Sequence, residues 1–176
     1  SEVWDIAMPF ESPVYRDFLL AVRSARSPDG GRPAFRKVRA GLTLEPAPDV
    51  RVRVLAPREP LLKGTRSDPN NNSIVLRIDA PGGSFLFTGD IEREGRRRLM
   101  NTDLRADVLK VSHHGAANGT DRAFLGRVNP RVAVISVGAN NRYGHPHRET
   151  IALLRGKRVY RTDWHGDIIM RLGVDR

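Results

Sequence analysis

Cysteine is absent from this chain of 176 residues. Its absence excludes disulfide bonds, thiolate metal ligands and cysteine nucleophiles, so a metal or catalytic site has to use His, Asp, Glu or Asn. Long apolar runs are missing as well, because no stretch approaches the roughly 20 residues that a membrane-spanning helix requires. The sequence as given therefore carries no bilayer crossing of its own.

Acidic residues are in the minority, with 20 Asp and Glu against 30 Lys and Arg and a formal net charge of +10. Such a field attracts polyanions, nucleic acid among them. An arginine-rich proteome would produce the same excess without an anionic partner, so charge alone leaves both interpretations open.

The hydrophobic fraction of 39% is typical of a globular domain, and we expect a single domain over residues 1–176. Because the chain does not begin with Met, we expect it to be a fragment of a longer protein.

The hydrophobic pattern predicts a mixed α and β domain with a layered core. Residues 61–72 are expected to be a polar loop, and Pro81-Gly82-Gly83 a hairpin turn. Predicted helices cover 13–25, a short stretch from Ile91, 120–127 and 149–154. Predicted strands cover 50–57, 73–79, 84–90, 107–112, 131–138, 158–162 and 167–174.

Three successive strand ends carry residues that could perform chemistry. The first, in FLFTGD, ends at Asp90, where Gly89 gives the backbone room to turn. Taken alone, Gly-Asp is more often a turn or a helix cap. The second strand end carries His113 and His114, two of only five histidines, followed by small residues that could admit a ligand. This pair favours metal binding over a structural histidine, although neighbouring side chains point apart and we expect only one to enter a shared site.

The third strand end, VGANNRYGHPH, holds His145 and His147 on either side of Pro146, which restrains the loop. Loop histidines can simply be solvated. However, three consecutive loops that carry Asp, His-His and His-x-His would meet at one edge of a sheet, and this convergence predicts a site. His165 is the least informative histidine, because its neighbours suit a plain turn.

Four segments together, NNNSIVLRI, FLFTGDIE, LKVSHHG and SVGANNRYGHPH, resemble the C-terminal metallo-β-lactamase-fold domain of ComEC-type proteins, which are DNA-internalisation channels of natural competence. The resemblance runs from about Asn70 to the end of the chain. It implies an αββα sandwich with a metal site where strand ends meet. By this resemblance Asp90 would bridge two metals, His113 would be a late histidine ligand, and His114 would be a ligand or its partner. His145 and His147 would be catalytic residues on the substrate side.

The chain departs from the superfamily pattern in two places. The first metal motif, a His-x-His/Asp-x-Asp-His loop, is missing, and we therefore expect an N-terminally truncated form of the fold. The middle histidine is replaced by Asn71 or Asn72, and we assign Asn72 to the catalytic site, because an Asn carbonyl can serve a hard metal such as Mn²⁺ or Mg²⁺.

The implied activity is phosphodiester hydrolysis of DNA with two divalent ions, Mn²⁺ or Zn²⁺, in the complete site. Candidates for phosphate contacts are Lys110, Arg77 and Arg142, each of which could equally be a solvated cation. The resemblance implies that DNA, the rest of the channel and the competence machinery are the partners, with no small-molecule cofactor. It places the domain on the extracellular or periplasmic side of the inner membrane.

Two other functions remain open at this point. The chain could be a non-catalytic module that guides DNA after losing a metal ligand set. It could also be a hydrolase of another substrate, such as a lactone or a β-lactam, although the charge of +10 and the arginine-rich strand VRVRV weigh against small-molecule work.

Overall fold

The structure is a computed structural model that describes residues 1–171. Its strands are β1 (Glu2–Asp5), β2 (Ala34–Lys37), β3 (Thr43–Ala47), β4 (Val50–Ala56), β5 (Val75–Ala80), β6 (Gly83–Phe87), β7 (Val108–Lys110), β8 (Val132–Ile135) and β9 (Arg158–Arg161). Its α-helices are α1 (Pro13–Ser24), α2 (Asp68–Asn71), α3 (Arg93–Leu99), α4 (Arg122–Val128), α5 (Arg148–Leu153) and α6 (Thr162–His165), and Ser112–Gly115 forms a 3-10 turn. None of the described helices has both the length and the hydropathy that a bilayer crossing needs.

A seven-stranded sheet with the order β3-β4-β5-β6-β7-β8-β9 forms the centre of the molecule, and β1 and β2 form a separate two-stranded parallel sheet. The strands from β3 to β6 run antiparallel to their neighbours, whereas β6, β7, β8 and β9 are parallel. Parallel strands require crossovers, which α3, α4 and α5 provide here. The carboxyl ends of β6, β7 and β8 therefore open at one edge of the sheet.

One face of this sheet packs against the crossover helices. Three neighbouring strands contribute the fully buried side chains of Leu86, Leu109 and Ile135. These belong to one core cluster with Leu99, the last residue of α3, and Phe124 of α4. Alternate residues of a strand point to one face, so these side chains form a continuous apolar layer. This apolar layer holds β6, β7 and β8 in register, so that their carboxyl ends lie side by side.

Most of the predicted elements are confirmed, and the mixed α and β class with them. Five elements were missed, namely β1, β2, β3, the short helix α2 within the expected polar loop 61–72, and the short helix α6. The predicted last strand is wrong over 167–171, which has no strand pairing, and residues 172–174 lie outside the described part. His165 ends the short helix α6 rather than sitting in a plain turn.

Asp107 ties β6 to β7 just before β7 begins. Its Oδ2 accepts hydrogen bonds from the Ser84 backbone N–H (2.9 Å) and the Ser84 hydroxyl (2.8 Å). The bond from the Ser84 hydroxyl lowers the pKa of Asp107, and the backbone N–H lowers it further against the effect of burial. A carboxyl whose pKa is lower in the folded than in the unfolded protein stabilises the fold at pH values above its unfolded-state pKa. This stabilisation is lost as the pH falls through the folded-state pKa.

We expect Asp107→Asn to reduce the free energy of unfolding by up to about 1 kcal/mol at pH 7, because the side chain is partly exposed and solvent screens it. The difference from the wild type should narrow below about pH 4, where the wild-type carboxyl becomes protonated. Urea unfolding at pH 7 and pH 3 measures both values. Asp17→Asn is the control. Asp17 is exposed, and its ion pair with the equally exposed Arg16 is long, at 3.6 Å, so its exchange should change stability little. An unchanged difference at the two pH values would contradict the assignment.

Candidate functional site

Asp90 follows β6 in a turn that is hydrogen-bonded to the segments on both sides. Its N–H donates to the Ser73 hydroxyl at 3.1 Å, and the Thr88 hydroxyl donates to the Lys110 carbonyl at 2.7 Å. The turn passes through Gly89 at φ +53°, where a Cβ would lie 2.9 Å from the Ser73 Cβ. Only glycine fits such a position, so the turn points the Asp90 carboxylate out of the edge.

His113 and His114 follow β7 in the 3-10 turn, and both have left-handed backbone angles, with φ of 50° and 54°. The chain therefore coils at this point instead of alternating as a strand does, and both rings join the same cluster. The expectation that only one of them would enter the site is wrong for this reason. His114 Nε2 lies 3.5 Å from Asp90 Oδ2, and its Nδ1 lies 2.7 Å from the Ser136 carbonyl. Nδ1 must carry a proton to donate to that carbonyl, and this bond orients the ring so that Nε2 faces Asp90.

The loop between β8 and α5 brings two further histidines to the cluster. The Asn141 side chain holds the loop, because its Oδ1 accepts from His145 N–H (3.0 Å) and its Nδ2 donates to the His145 carbonyl (2.7 Å). The His145 ring centre lies 5.6 Å from that of His113, 6.5 Å from that of His114 and 4.9 Å from that of His147. Four imidazoles and one carboxylate from three strand ends therefore meet in one place, as the spacing predicts.

Glu92 is a member of the cluster that the sequence argument missed. Its side chain is only 5% exposed, and its Oε1 lies 3.4 Å from His113 Nδ1 and accepts from the Asn70 amide at 3.2 Å. His113 Nδ1 is buried and makes no other hydrogen bond within residues 1–171, so the Glu92 carboxylate faces it as the acceptor at hand. The only signal in the sequence was its position two residues after Asp90.

A cavity of about 400 Å³ opens beside these side chains. Besides His113, His145, His147 and Glu92, its wall includes three side chains that the sequence argument did not select, namely Arg66, Asn118 and Tyr143. The Tyr143 ring stacks on His145, with ring centres 5.7 Å apart. The cavity has room for a polar substrate group next to the imidazoles.

Two titratable groups of the cluster, His145 and Lys110, have lowered pKa values. Burial lowers the pKa of His145, and the neighbouring His147, His113 and His114 lower it further. Lys110 lies below the cluster, with its Nζ 3.8 Å from Asp90 Oδ1 and bonded to the Gly89 carbonyl at 3.2 Å. Burial also lowers the pKa of Lys110, while Asp90 opposes this effect.

The structure does not bring Asn72 to this cluster. Its amide is buried and bonded locally, since its Oδ1 accepts from Leu62 N–H (2.9 Å) and its Nδ2 donates to the Leu62 and Asp68 carbonyls. These bonds hold the 61–72 loop against the start of β5. The assignment of Asn72 to the catalytic site therefore needs correction, because its contacts are those of a structural residue.

Two of the candidate phosphate contacts also stand apart from the histidines. Arg77 is paired with Asp79 (2.8 Å) and with Asp103 (2.6 Å), so its charge is already matched. Arg142 is exposed and lies over the ring of Tyr143, 5.0 Å from its centre, and Tyr143 in turn lines the cavity. Of the three cations, Lys110 alone contacts Asp90, Arg142 approaches through Tyr143, and Arg77 does not take part.

The donor chemistry at this edge fits a divalent metal only in part. A carboxylate and an imidazole nitrogen, from Asp90 and His114, face each other, and Mn²⁺ or Zn²⁺ accepts both donor types. Yet no group of three or more His, Asp or Glu side chains within residues 1–171 is arranged to hold an ion. The described residues thus bring two suitable donors together, which is fewer than a metal site needs.

We expect the 176-residue chain to retain fewer than two tightly bound metal ions after purification, because two facing donors hold an ion weakly. Elemental analysis after dialysis against buffer, with and without added Mn²⁺ or Zn²⁺, measures the content. Two ions per chain that survive dialysis would contradict the expectation.

Comparison with known proteins agrees with this geometry. Residues 9–139 match the sequence profile of the Metallo-beta-lactamase superfamily, and the chain therefore belongs to that superfamily. The expected fold class is thereby confirmed, and membership indicates a hydrolase of a superfamily that usually binds divalent metals.

The relatives narrow the resemblance further. The chain is 40% identical over 142 residues to "ComE operon protein 3" of Bacillus subtilis (strain 168), which covers 78% of this chain and 18% of that protein. It is 36% identical over 111 residues to "Competence protein ComA" of Neisseria gonorrhoeae, which covers 60% of this chain and 16% of that protein. The matched segments thus span less than a fifth of the length of these relatives. The resemblance to the metallo-β-lactamase domain of ComEC-type competence proteins is confirmed.

Proposed function

We propose that this domain is a metal-dependent DNA phosphodiesterase that degrades the non-transported strand during DNA uptake in transformation. The observation that carries the proposal is the meeting of Asp90 with four histidines at one sheet edge, beside an open cavity. The net charge of +10 supports a polyanionic substrate. The relatives named as competence proteins support the biological process.

Asp90, His113 and His114 would hold the metal, and Glu92 would orient His113 through Nδ1. A bound divalent ion supplies Lewis-acid polarisation of a phosphoryl oxygen and activation of water. His145, kept neutral by burial, and His147 line the cavity and can accept or donate a proton at the substrate. Lys110 compensates the Asp90 carboxylate, and Arg142 lies where a phosphate would enter.

The proposal includes the setting of the domain. We propose that it is part of a longer inner-membrane channel protein and faces the periplasm or the outside, where incoming DNA arrives. Its partners would then be DNA, the channel portion of the same protein and the competence machinery. The relatives, which are several times longer than the matched segments, support this arrangement.

The experiment measures cleavage and binding of the same DNA with the full-length protein. End-labelled single-stranded and double-stranded DNA are incubated with Mn²⁺, with Zn²⁺ or with EDTA, and binding is followed in parallel by fluorescence anisotropy. We expect cleavage that requires a divalent ion. Binding without cleavage under every metal condition would overturn the nuclease proposal.

The second candidate, a non-catalytic module that guides DNA, is favoured by one observation: no group of three metal-holding side chains occurs within residues 1–171. Retained DNA binding without cleavage is its signature in the same experiment. Hydrolysis of a lactone or β-lactam in the absence of any DNA binding would instead indicate a small-molecule hydrolase.

A further inference from the structure

A second cavity, of about 330 Å³, lies next to the histidine cavity. The two share four residues in their walls and are therefore adjacent; the shared residues are Arg66, Glu92, Ala117 and Asn118. The second cavity extends along α3 and ends at Asp121, the residue that caps α4. We refer to it below as the α3 cavity.

Three arginines line the α3 cavity, namely Arg66, Arg93 and Arg96. Arg66 and Arg93 are exposed, and neither side chain makes a hydrogen bond or ion pair within residues 1–171. Arg96 is 4% exposed, and its guanidinium bonds to Asp121 Oδ2 (2.6 Å) and to the Asn118 carbonyl (3.2 Å). Burial lowers the pKa of Arg96, Asp121 opposes this effect, and the positive charge of the nearby Arg93 lowers the pKa again. Arg93 and Arg96 are thus neighbouring cations in one wall of the cavity.

Two buried polar atoms in the same wall lack partners. Arg96 Nε and Thr120 Oγ1 are buried and make no hydrogen bond. Buried donors without partners are uncommon, because each costs about 1–3 kcal/mol, and they call for a specific explanation. Both atoms can donate a hydrogen bond, and both residues line the cavity, so an oxyanion bound there is a candidate acceptor.

The acids of the α3 cavity are already engaged. Glu92 accepts from Asn70 and faces His113, and Glu94 accepts from the Asn71 amide at 3.1 Å. Asp121 pairs with Arg96 and also accepts from the Phe124 N–H at 2.8 Å. The cavity wall therefore has three arginines and three carboxylates; Arg96 and Asp121 pair with each other, and Arg66 and Arg93 are the exposed cations that can approach a ligand from the rim.

We propose that the α3 cavity is a second phosphate subsite, which binds a backbone phosphate of the DNA strand next to the one held at the histidines. Arg66 and Arg93 contact its oxygens from the rim, and Arg96 and Thr120 donate from the floor. The subsite rests on the proposed function, and it aligns the strand along the two adjacent cavities so that the scissile phosphate enters the histidine cavity. Phosphate contacts of this type fix position and carry no base preference.

The first test compares Arg93→Gln and Arg66→Gln with Arg97→Gln, measured as binding of an oligo-dT strand over a series of salt concentrations. Arg97 is an exposed arginine of α3 that lines neither cavity, so its exchange removes the same charge from the same helix. Each rim variant should lower the slope of log Kd against log salt by about 0.7, the value for one phosphate contact on a single strand. Affinity should fall by at most about fivefold. Arg97→Gln should leave the slope of the wild type unchanged. Equal slopes for all three variants would overturn the subsite.

The second test uses inorganic phosphate and ¹H–¹⁵N spectra of the arginine Nε–H groups. Phosphate should shift the Arg96 Nε–H resonance, and the shift should be lost in Arg93→Gln. Absence of any phosphate-dependent shift would overturn the subsite whether or not DNA is cleaved. A shift together with a failure to bind oligo-dT would confirm an anion site but overturn the proposed DNA function.

Discussion

Exchange of Asp90 for asparagine should reduce metal-dependent DNA cleavage by the full-length protein by more than about 100-fold. Loss of a group that only orients a metal ligand typically costs 10- to 100-fold, and removal of the ligand charge itself should cost more. Within residues 1–171, Asp90 is the only carboxylate within 4 Å of His114 Nε2, so no neighbouring acid of this part of the chain can replace it. His113→Ala should have a similar effect, because it removes the imidazole that faces Glu92.

The control for this prediction is Asp163→Asn. Asp163 also follows a strand of the parallel set, β9, but it is paired with Arg161 at 2.6 Å. Its exchange should leave cleavage unchanged. The thermal unfolding of each variant shows whether a loss of activity reflects a loss of fold. Full activity of folded Asp90→Asn and His113→Ala proteins would remove both residues from the site.

Exchange of Gly115 for alanine should reduce the free energy of unfolding by about 2–4 kcal/mol and lower activity as well. Gly115 has φ +83°, where a Cβ costs about 1–2 kcal/mol. The added Cβ would also lie 2.5 Å from the Pro146 Cβ and 3.1 Å from the Pro146 Cα, and overpacking of this kind costs about 1–3 kcal/mol. Relief of this clash should shift Pro146 away from Gly115. His145 and His147, which flank Pro146 in the chain, should then move away from His113.

Gly138→Ala is the matched control, since a Cβ at Gly138 would meet nothing within 4 Å and its φ is not positive. It lies in the same β8–α5 connection, at the start of the histidine loop. Urea unfolding and cleavage assays of both variants make the comparison. If Gly115→Ala were as stable as Gly138→Ala, the close approach of the two loops would be wrong.

The meeting of Asp90 with the histidines could be predicted from the sequence, because it depends on topology alone. FLFTGD and DVLKVSHH are apolar runs that end in polar residues, and the connections between them are long enough for helical crossovers. Consecutive parallel strands then place their ends side by side. The prediction needed no side-chain geometry, which is why it was correct.

The rest of the site depends on side-chain packing, which the sequence does not display. Asn72 has the residue type of a ligand, but the Leu62 backbone occupies its amide, and only the folded 61–72 loop shows this. Arg77 is a cation in a strand, but it faces two carboxylates that are distant in sequence or on its own strand. Glu92 was missed for the opposite reason, since helix starts commonly carry Glu and its burial against His113 is a tertiary contact.

The hydrogen bond from His147 N–H to the Gly115 carbonyl, at 3.0 Å, fastens the loop after β8 to the turn after β7. A chimaera that exchanged one of these segments for that of a relative would lose this bond and the fit between Gly115 and Pro146. The two segments therefore form one transferable unit, and grafting should exchange both together.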